Sequence, residues 1–481
     1  MDFKFPIRTE LFIHGKWVSS IGSERLKIKS AVDDSTITAD LHAASTADVD
    51  EAVASAENAL HAWQTLTLEA RRDALIKLGD LMITNQDRLG YLDTLVSGKE
   101  ISLSKAEAAQ AGNIFKFYAN YIDKAQGEIA PTNGASVQLV QHEPYGITAG
   151  ITAFNGPLLT FAMKAAPALA AGNVMLIKAS EQNPFSIFGA GELVNEAGIP
   201  PGALNIFTGG AEAGEALASH MKIRKITFTG SVPVGKKVQI AAARSNLKSC
   251  TLELGGKTPV IVFEDSDIAK AAACATSFMF MNGQGCVLGT RIYVQASILG
   301  EFLESFRPLV QARCSDLGSN PLETTTKSSP MYNHRQYQTV LDYIDVGKQE
   351  ATLLMGGARH GTKGCYVEPT VFLRPKENAR ILKEEIFGPV VVIDTFETDQ
   401  EVLAKANDTE FGLGAAIFTK DIGRVLRISP KLEAGTVTVN STSYLHLTRP
   451  FGGWKQSGLG RELGLHGLLD FTQVKTVVLS E

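Results

Sequence analysis

Residues 147–178 have the sequence ITAGITAFNGPLLTFAMKAAPALAAGNVMLIK, and this stretch decides the fold. Apolar runs at 147–154 and 174–178 predict two strands, and the segment at 158–170 between them predicts a helix. The alternation continues downstream, with expected helices and strands at 184–197, 204–208, 212–220 and 225–229. Strands that alternate with helices form parallel sheets covered on both faces, so this part predicts a doubly wound α/β domain.

A second α/β block begins after Gly255 and Gly256. Its expected elements are strands at 259–263, 291–295 and 390–396 and a helix at 267–281. The chain before residue 100 has helical periodicity at 48–63, with Thr46 as the expected N-cap, and again at 70–82. We therefore predict an α/β fold with two doubly wound Rossmann-like domains.

Composition restricts the class of protein. The chain has 481 residues, 44% of them hydrophobic and 20% charged, with a formal net charge of -5, which is typical of a globular protein of two or three domains. Because no run of Lys and Arg appears, we expect no nucleic-acid partner. No apolar stretch is long enough to span a membrane, and neither end carries a targeting pattern, so we expect a cytoplasmic protein.

Five widely spaced cysteines, none in a Cys-x-x-Cys pair, argue against a disulfide framework or a thiolate zinc site. The nine histidines form no His-Glu-x-x-His pattern, and we expect no metal. The most distinctive cysteine is Cys286, in Phe-Met-Asn-Gly-Gln-Gly-Cys, where two glycines predict a tight, exposed turn. A cysteine there is either a small buried hydrophobe or a nucleophile that needs a base or dipole nearby.

Polar residues near strand ends are further candidates. Glu253 lies in Thr-Leu-Glu-Leu-Gly, where strand alternation favours exposure to solvent, although burial would raise its pKa and suit a general base. Asn155 follows the strand at 147–154 and is either a turn residue or an oxyanion donor. Lys178 and Glu181 end the next strand, as a solvated pair or as ligand contacts.

A glycine-rich turn follows the strand at 225–229. Gly230 and Ser231 precede a helix expected to begin near Pro233, and backbone amides at such a turn favour a phosphate, although an ordinary βα turn has the same sequence. No Gly-x-Gly-x-x-Gly fingerprint occurs. Gly458-Leu-Gly460 has no βαβ context, so we do not assign it to a dinucleotide.

Together these segments resemble the aldehyde dehydrogenase superfamily from about residue 48 to the C-terminus. Each motif is weak alone, but seven in the family's order and spacing are specific. They are Phe154-Asn-Gly-Pro157, Lys178-Ala-Ser-Glu181, Phe228-Thr-Gly-Ser231, Leu252-Glu-Leu-Gly-Gly-Lys257, Gly283-Gln-Gly-Cys286, Glu384-Glu-Ile-Phe-Gly-Pro389 and Pro450-Phe-Gly-Gly-Trp-Lys-Gln-Ser-Gly458.

The resemblance implies a mechanism in which Cys286 attacks the aldehyde and Asn155, with the backbone amide of Cys286, donates to the oxyanion. Hydride transfer leaves a thioester, and Glu253 activates the water that hydrolyses it. It also implies a nicotinamide dinucleotide site, with NAD favoured over NADP because a carboxylate at Glu181 repels a 2′-phosphate. The residues implied for that site are Lys178, Glu181, Phe228, Gly230, Ser231, Gly255, Glu385 and Phe387.

The resemblance further implies a cofactor domain at 1–121 and 146–255, a catalytic domain at 256–469, and an oligomerisation arm at 122–145 and 470–481. A homodimer or homotetramer follows, with a small-molecule aldehyde as the substrate. Hydrolytic oxidation is the first hypothesis. The alternatives are acyl transfer to coenzyme A, against which the presence of Glu253 argues, and a non-catalytic structural protein on the same fold.

Several positions in the implied substrate tunnel depart from common family members. They are Gly156, Met163, Gly285 and Val287, and Phe451 is placed with them. Some motifs are similar to the branch that acts on benzaldehyde, vanillin and salicylaldehyde, although Val-Leu-Gly-Thr-Arg after Cys286 matches that branch less well. An aromatic aldehyde is therefore one expectation for the substrate.

Overall fold

A computed structural model describes residues 3–131 and 136–480 of the chain. Within these residues the strands are β1 (Leu11–Ile13), β2 (Lys16–Val18), β3 (Arg25–Lys29), β4 (Thr36–His42), β5 (Glu128–Ala130), β6 (Ser136–Pro144), β7 (Ile147–Ile151), β8 (Val174–Ala179), β9 (Leu204–Thr208), β10 (Lys225–Thr229), β11 (Ser249–Glu253), β12 (Thr258–Val262), β13 (Gly289–Gln295), β14 (Thr352–Met355), β15 (Thr370–Leu373), β16 (Val390–Phe396), β17 (Phe411–Gly412), β18 (Gly414–Phe418), β19 (Thr436–Val439), β20 (Trp454–Lys455), β21 (Gly458–Leu459) and β22 (Thr472–Ser480).

The α-helices of the same residues are α1 (Thr46–Gln64), α2 (Leu68–Thr84), α3 (Gln86–Ser97), α4 (Ile101–Ala119), α5 (Pro157–Ala170), α6 (Phe185–Val194), α7 (Ala211–Ser219), α8 (Val232–Arg244), α9 (Ile268–Ala275), α10 (Leu299–Cys314), α11 (His334–Glu350), α12 (Arg380–Lys383), α13 (Asp399–Asn407), α14 (Ile422–Ile428) and α15 (Gly464–Leu469). Short 3-10 helices lie at Thr276–Gly283, Ala296–Ile298 and Ser429–Lys431. None of these described helices is long and apolar enough to cross a membrane.

The first sheet has the order β2-β1-β9-β8-β7-β10-β11-β21 in the described chain. The neighbouring strands β9, β8, β7, β10 and β11 are mutually parallel. In chain order, β8 and β9 are added on one side of β7, and β10 and β11 are added on its other side. Ligands of open α/β sheets lie outside the carboxyl ends of the strands at such a switch point. The loops after β7, β8, β10 and β11 are therefore the place where this sheet presents polar groups.

The second sheet has the order β14-β15-β16-β13-β12-β18-β19 among the described residues. It is parallel apart from the β14–β15 pair. The two sheets match the predicted pair of doubly wound units, and the α/β class is confirmed. Among the described residues, four hydrophobic clusters form the core, and the largest packs the helices between α1 and α6 around the first sheet.

A third sheet joins β22, β6 and β5 within the described residues. It uses the two segments predicted as an arm, of which residues 132–135 and 481 lie outside the described part. The division of the chain into domains stays a prediction. The structure adds that β21 returns from the C-terminal part of the chain to pair with β11 of the first sheet.

Element boundaries differ from the sequence prediction where loops carry polar residues. β7 ends at Ile151 rather than at residue 154. The helix expected at 267–281 ends at Ala275 and continues as a 3-10 turn, since Met281 and Asn282 adopt left-handed backbone angles. The N-cap of α1 is Ser45 rather than Thr46, because the Ser45 hydroxyl accepts from the amide of Asp48 in a capping box.

Candidate active site

Cys286 lies on a turn between the 3-10 helix Thr276–Gly283 and β13. Met281, Asn282 and Gly283 have φ values of 53°, 47° and 75°. A Cβ on Gly283 would collide with the backbone of Gly388, so only glycine fits this close approach. The predicted tight turn is confirmed, but Cys286 is only partly exposed and packs against the first core cluster.

Gln284, fully buried, holds this turn in place. Its side-chain amide donates to the carbonyls of Met281 and Pro330, at 3.0 and 3.3 Å, and its carbonyl accepts from the amide of Tyr332 at 2.8 Å. All of its hydrogen-bonding groups face protein. We infer that Gln284 fixes the backbone that carries Cys286. Gln284 was not among the predicted site residues, although it lies inside the Gly283–Cys286 motif.

Asn155 belongs to the bend between β7 and α5. Its side-chain Nδ2 donates to the backbone carbonyl of Gln284 at 2.8 Å, two residues before the thiol. The two loops therefore meet, as the hypothesis of an oxyanion donor requires. Because an amide nitrogen carries two hydrogens, Asn155 keeps a second donor for another acceptor.

Glu253 ends β11 and is buried at 4% exposure, so the expectation of a solvent-facing side chain is wrong. Strand alternation directs the Glu253 side chain away from the core, but β21 and the loop at Gly452 cover it there. A Cβ on Gly452 would lie 2.8 Å from Glu253 Oε1. Burial, then the neighbouring Glu462, raise the pKa of Glu253 well above its ordinary value. Within the described residues neither carboxyl oxygen has a hydrogen-bond partner.

A buried ion pair lies beside Glu253. Lys164 Nζ contacts Glu462 Oε1 at 2.7 Å and donates to Thr229 Oγ1 at 2.7 Å, and both charged side chains are at most 5% exposed. Lys164 lowers the pKa of Glu253 and Glu462 raises it. Neither residue was among the predicted site residues. Lys164 could have been found as a lone charge in the most apolar helix, whereas Glu462 carried no signal.

The thiol of Cys286 is held in its neutral form. Burial, Glu385 and Glu253 raise its pKa to about 12. A thiol at that pKa carries little thiolate at neutral pH, and the thiolate is the nucleophile. Any nucleophilic role therefore requires proton transfer to a neighbouring base, and Glu253 has a raised pKa suited to receive that proton.

Glu385 approaches the same place from the second sheet. Its Oε1 accepts from the amide of Gly256 at 3.0 Å, and a Cβ on Gly255 would collide with its Oε2. Burial raises the pKa of Glu385 to about 7. Phe387 adopts a left-handed φ of 56°, and its ring meets Phe154, beside Asn155, edge to face at 6.0 Å. The structure thus brings Gly255, Glu385 and Phe387 together.

The other predicted cofactor residues follow β8 and β10. Lys178 Nζ lies 3.2 Å from Glu181 Oε2, but the Lys178 side chain is only 7% exposed, so the alternative of a fully solvated pair is wrong. Gly230 is bonded to the carbonyl of Glu253 at 3.0 Å, and a Cβ there would crowd the ring of Phe228. Ser231 is the N-cap of α8, with no capping bond from its side chain.

Two of the predicted substrate residues adjoin the nucleophile in sequence, and two others belong to α5 and its N-cap. Gly285 and Val287 flank Cys286, Gly156 is the N-cap of α5, and Met163 is a buried residue of that helix. Phe451 is buried, and its backbone exchanges two 2.7 Å hydrogen bonds with that of Glu462. These backbone bonds give Phe451 a supporting contact to the buried ion pair that its motif did not indicate.

Another polar group lies apart from Cys286. Asp34, His334 and Cys365 offer three potential ligand atoms within 4.8 Å of one another. His334 lies 3.4 Å from the Cys365 sulfur through Nδ1 and 3.2 Å from Asp34 through Nε2. Nδ1 and Nε2 of His334 therefore face two different side chains, those of Cys365 and Asp34. Sequence spacing gave no sign of this group, because its members are far apart in the chain.

The two doubly wound sheets and the polar groups around Cys286 are those of an α/β protein with a candidate active site, and comparison with known proteins identifies its family. The sequence pattern of the aldehyde dehydrogenase family matches residues 17–477, and the chain belongs to that family. An aldehyde dehydrogenase of Emericella nidulans is 41% identical over 97% of this chain and 94% of its own length. Human retinal dehydrogenase 2 is also 41% identical, over 98% of this chain and 92% of its own.

Solved structures agree with this assignment. An indole-3-acetaldehyde dehydrogenase of P. syringae, solved with NAD+ and IAA, superposes with a TM-score of 0.95 at 35% identity, covering 99% of this chain and 98% of its own. The gamma-glutamyl-gamma-aminobutyraldehyde dehydrogenase of Burkholderia cenocepacia has a TM-score of 0.96 at 38% identity, covering 99% and 97%. The protein is therefore an NAD(P)-dependent aldehyde dehydrogenase.

Proposed function

We propose that this enzyme oxidises an aldehyde to a carboxylic acid with NAD+, through a covalent thioester on Cys286. The observation that carries the proposal is the meeting of three chain segments at one thiol. Asn155 is bonded to the loop of Cys286, and the carboxyls of Glu253 and Glu385 both act on the Cys286 pKa. A nucleophile, an amide donor and a buried base are the groups that acyl chemistry requires.

In the first step, Cys286 Sγ bonds to the aldehyde carbon while the thiol proton passes to Glu253. A thiol whose pKa is about 12 does not ionise alone at neutral pH. Glu253, whose pKa is raised, binds that proton more readily than an ordinary carboxylate. The developing oxyanion accepts hydrogen bonds from the free amide hydrogen of Asn155 and from the backbone N–H of Cys286.

The chain's own residues fit a nicotinamide dinucleotide. The N-terminus of α8 and the uncommitted Ser231 hydroxyl suit a pyrophosphate, and Lys178 and Glu181 suit a ribose. Glu385, on the glycine backbone at Gly255, suits the second ribose. A nicotinamide held by these residues would supply the acceptor for the hydride of the substrate carbon.

Before the last step, Glu253 releases the thiol proton to solvent, and it then takes a proton from a water molecule that attacks the thioester carbon. The carbon–sulfur bond breaks, the acid leaves, and Glu253 returns a proton to the sulfur. The two Glu253 oxygens lack hydrogen-bond partners among the described residues, so they are available for this water. Burial raises the pKa of the carboxyl and strengthens it as a base toward water.

NAD+ is proposed over NADP+ because Glu181 is a carboxylate at the place proposed for the adenosine ribose. The carboxylate oxygens of Glu181 accept hydrogen bonds from ribose hydroxyls, and their negative charge repels a 2′-phosphate. Lys178, at 3.2 Å, offsets part of that repulsion. Initial rates with each cofactor at equal concentration test this preference, and a higher kcat/KM with NADP+ contradicts it.

For the substrate we propose an aldehyde with a bulky or aromatic body. Gly156 supports this, since a Cβ there would have its nearest neighbours at 3.7 Å or more, so glycine is not sterically required and leaves room beside the amide donor. Leu159 and Leu447 are partly buried on the same core as Cys286 and supply apolar surface. A panel of benzaldehyde-type and straight-chain aldehydes tests this class, and higher kcat/KM for the straight-chain members refutes it.

The proposed arm supports assembly into a homodimer or homotetramer. Its sheet exposes Ile129, Val474 and Val478, at 75%, 64% and 55%, and exposed apolar patches mark interfaces. Light scattering of the purified chain tests this proposal, and a monomer contradicts it. The cytoplasmic location stays a prediction.

The nucleophile is tested by Cys286→Ala, which removes the sulfur without adding bulk. We expect NAD+-dependent turnover to vanish, and more than trace activity in the pure variant contradicts the proposal. A matched control is Cys274→Ala, another partly buried cysteine, which should keep full activity. Product analysis with coenzyme A present separates hydrolysis from acyl transfer, since a thioester product overturns the hydrolytic assignment.

A further inference from the structure

We propose that a buried charge cluster, formed by Asp93, Lys99, Glu107 and Asn183, positions Asn155 for its role as oxyanion donor. These residues touch neither Cys286 nor Glu253 in any contact described above. The inference rests on the proposed function, because it assigns the cluster an effect on the step in which Asn155 acts. Lys99 and Glu107 are thus positioning residues.

The cluster is closed to water. Lys99 Nζ contacts Asp93 Oδ2 at 2.7 Å and Glu107 Oε2 at 2.5 Å, and the three charged side chains are at most 4% exposed. Burial alone would lower the pKa of Lys99, but Asp93 and Glu107 together raise it above its ordinary value. Lys99 is therefore a fixed cation that holds two carboxylates in defined places.

Glu107 ties the cluster to the residues that follow Asn155. Its Oε1 accepts from the backbone amides of Leu158 and Leu159, at 3.2 and 3.4 Å, in the first turn of α5. The N-cap of that helix is Gly156, which has no side chain to cap it. Glu107, from α4, supplies the missing cap, and a carboxylate at a helix N-terminus is also favoured by the helix dipole.

Asn183 ties the cluster to the residue before Asn155. Its Nδ2 donates to Asp93 Oδ1 at 2.6 Å and to the backbone carbonyl of Phe154 at 3.3 Å. The bend that carries Asn155 is therefore anchored on both sides, by Phe154 through Asn183 and by α5 through Glu107. Both anchors lead to Lys99.

The loop of Cys286 is anchored to the same place. Lys99 lies 5.6 Å from the ring centre of Tyr332, and Glu100 accepts from the Ser329 hydroxyl at 2.6 Å. Tyr332 in turn donates its backbone amide to Gln284. Lys99 and Glu100 are consecutive residues, so the loop of Asn155 and the loop of Cys286 are both anchored at the same point of the chain. Their common effect is to set the separation between the Asn155 amide and the oxyanion formed at Cys286.

Glu107→Gln is the informative substitution. Both Glu107 oxygens accept hydrogen bonds, one from Lys99 and one from the α5 amides, so an amide group can satisfy only one side. The variant keeps the side-chain shape, and it removes one of two buried negative charges around a single cation. The fold is therefore retained while one anchor of the Asn155 loop is lost.

The chain offers a matched control in Asp265→Asn. Asp265 also accepts from two backbone amides before a helix, those of Lys420 and Asp421, and pairs with Arg424 at 2.9 Å. It follows the carboxyl end of β12, whereas Cys286 precedes the amino end of the neighbouring parallel strand β13. Asp265 and Cys286 therefore lie at opposite ends of the strands of the second sheet, so this control should leave the rate of acylation unchanged.

The test is a double-mutant cycle on the rate of NADH formation in a single turnover, with enzyme in excess so that slow variants remain measurable. Misplacing a catalytic group by about 1 Å can cost ~100-fold, and we expect Glu107→Gln, which loses one anchor, to slow acylation by about tenfold. In an Asn155→Ala background the same change should have no further effect, because the donor that it misplaces is gone.

The outcomes separate the two proposals. If Asn155→Ala alone acylates as fast as wild type, the proposed oxyanion function fails. If Asn155→Ala is slow but Glu107→Gln slows both backgrounds equally, or neither, the positioning role is overturned while the proposed function stands. Thermal melting of every variant is recorded beside the rates. A tenfold slowing that Asp265→Asn reproduces at equal loss of melting temperature also overturns the positioning role.

Discussion

Replacing Glu253 by glutamine separates the two halves of the proposed reaction. The two carboxyl oxygens of Glu253 have no hydrogen-bond partners among the described residues, so the glutamine amide breaks no hydrogen bond. A change in rate therefore does not come from a lost hydrogen bond. General base catalysis contributes about 10²- to 10⁴-fold, which is about 3–5 kcal/mol of barrier. We expect the hydrolytic step to slow by that factor, so the thioester accumulates.

The assay is stopped-flow fluorescence of NADH. The variant should release about one NADH per active site and then turn over slowly, whereas wild type shows no such separation if hydrolysis is fast. Some slowing of the burst is also expected, because Glu253 takes the thiol proton in the first step. Steady turnover at the wild-type rate would refute a role for Glu253 as the base, and complete loss of the burst would refute the prediction that hydrolysis is the step that Glu253→Gln slows most.

The same substitution has a consequence for stability. The pKa of Glu253 is raised in the folded chain, so the folded state binds this proton more tightly than the unfolded state does. The contribution to stability is present below the ordinary carboxyl pKa and is lost as pH rises toward the folded value. Melting temperatures between pH 5 and pH 8 should therefore fall less in Glu253→Gln than in wild type, and an equal fall contradicts the raised pKa of Glu253.

Three further predictions concern the cofactor and the substrate. Because the pKa of Glu385 is about 7, its carboxylate forms as pH rises through 7, and KM for NAD+ should then fall. Glu385→Gln should flatten this pH profile of KM. A KM independent of pH in wild type contradicts the ribose contact. Glu181→Ala should raise kcat/KM for NADP+ by roughly tenfold, about 1.4 kcal/mol of repulsion removed, and no gain would count against the proposed ribose site. Gly156→Ala should keep the melting temperature, since the added Cβ has room, and should lower kcat/KM for bulky aldehydes more than for small ones; equal losses refute its place in the tunnel.

Much of the fold followed from periodicity. The strands at 204–208 and 225–229 and the strand at 390–396 have the predicted bounds, because runs of buried apolar residues between turns leave little choice. The errors lie where a tertiary contact overrides the local pattern. β7 stops at Ile151, where the chain turns to bring Asn155 to Gln284. The sequence carries no local sign of a contact between residues 129 positions apart.

The sequence predicted which residues belong to the candidate site, but it did not predict how buried they are or which residues they contact. Cys286, Asn155 and Glu253 were named from motifs, but alternation placed Glu253 in solvent, since nothing local showed that residues near 452 and 458 cover it. The supporting groups were missed for the same reason. Lys164 and Glu462 are 298 residues apart in sequence, and Glu107 accepts from a backbone amide of α5 that no side-chain pattern records.

The most direct test of the covalent mechanism is the mass of the trapped intermediate. Glu253→Gln is mixed with an accepted aldehyde and NAD+, quenched in acid and digested, and the peptide that contains Cys286 is weighed. We expect a mass increase equal to the acyl group of the aldehyde on that peptide and on no other cysteine peptide. An unmodified Cys286 peptide at the height of the burst, or an acyl group on a different cysteine, would contradict it.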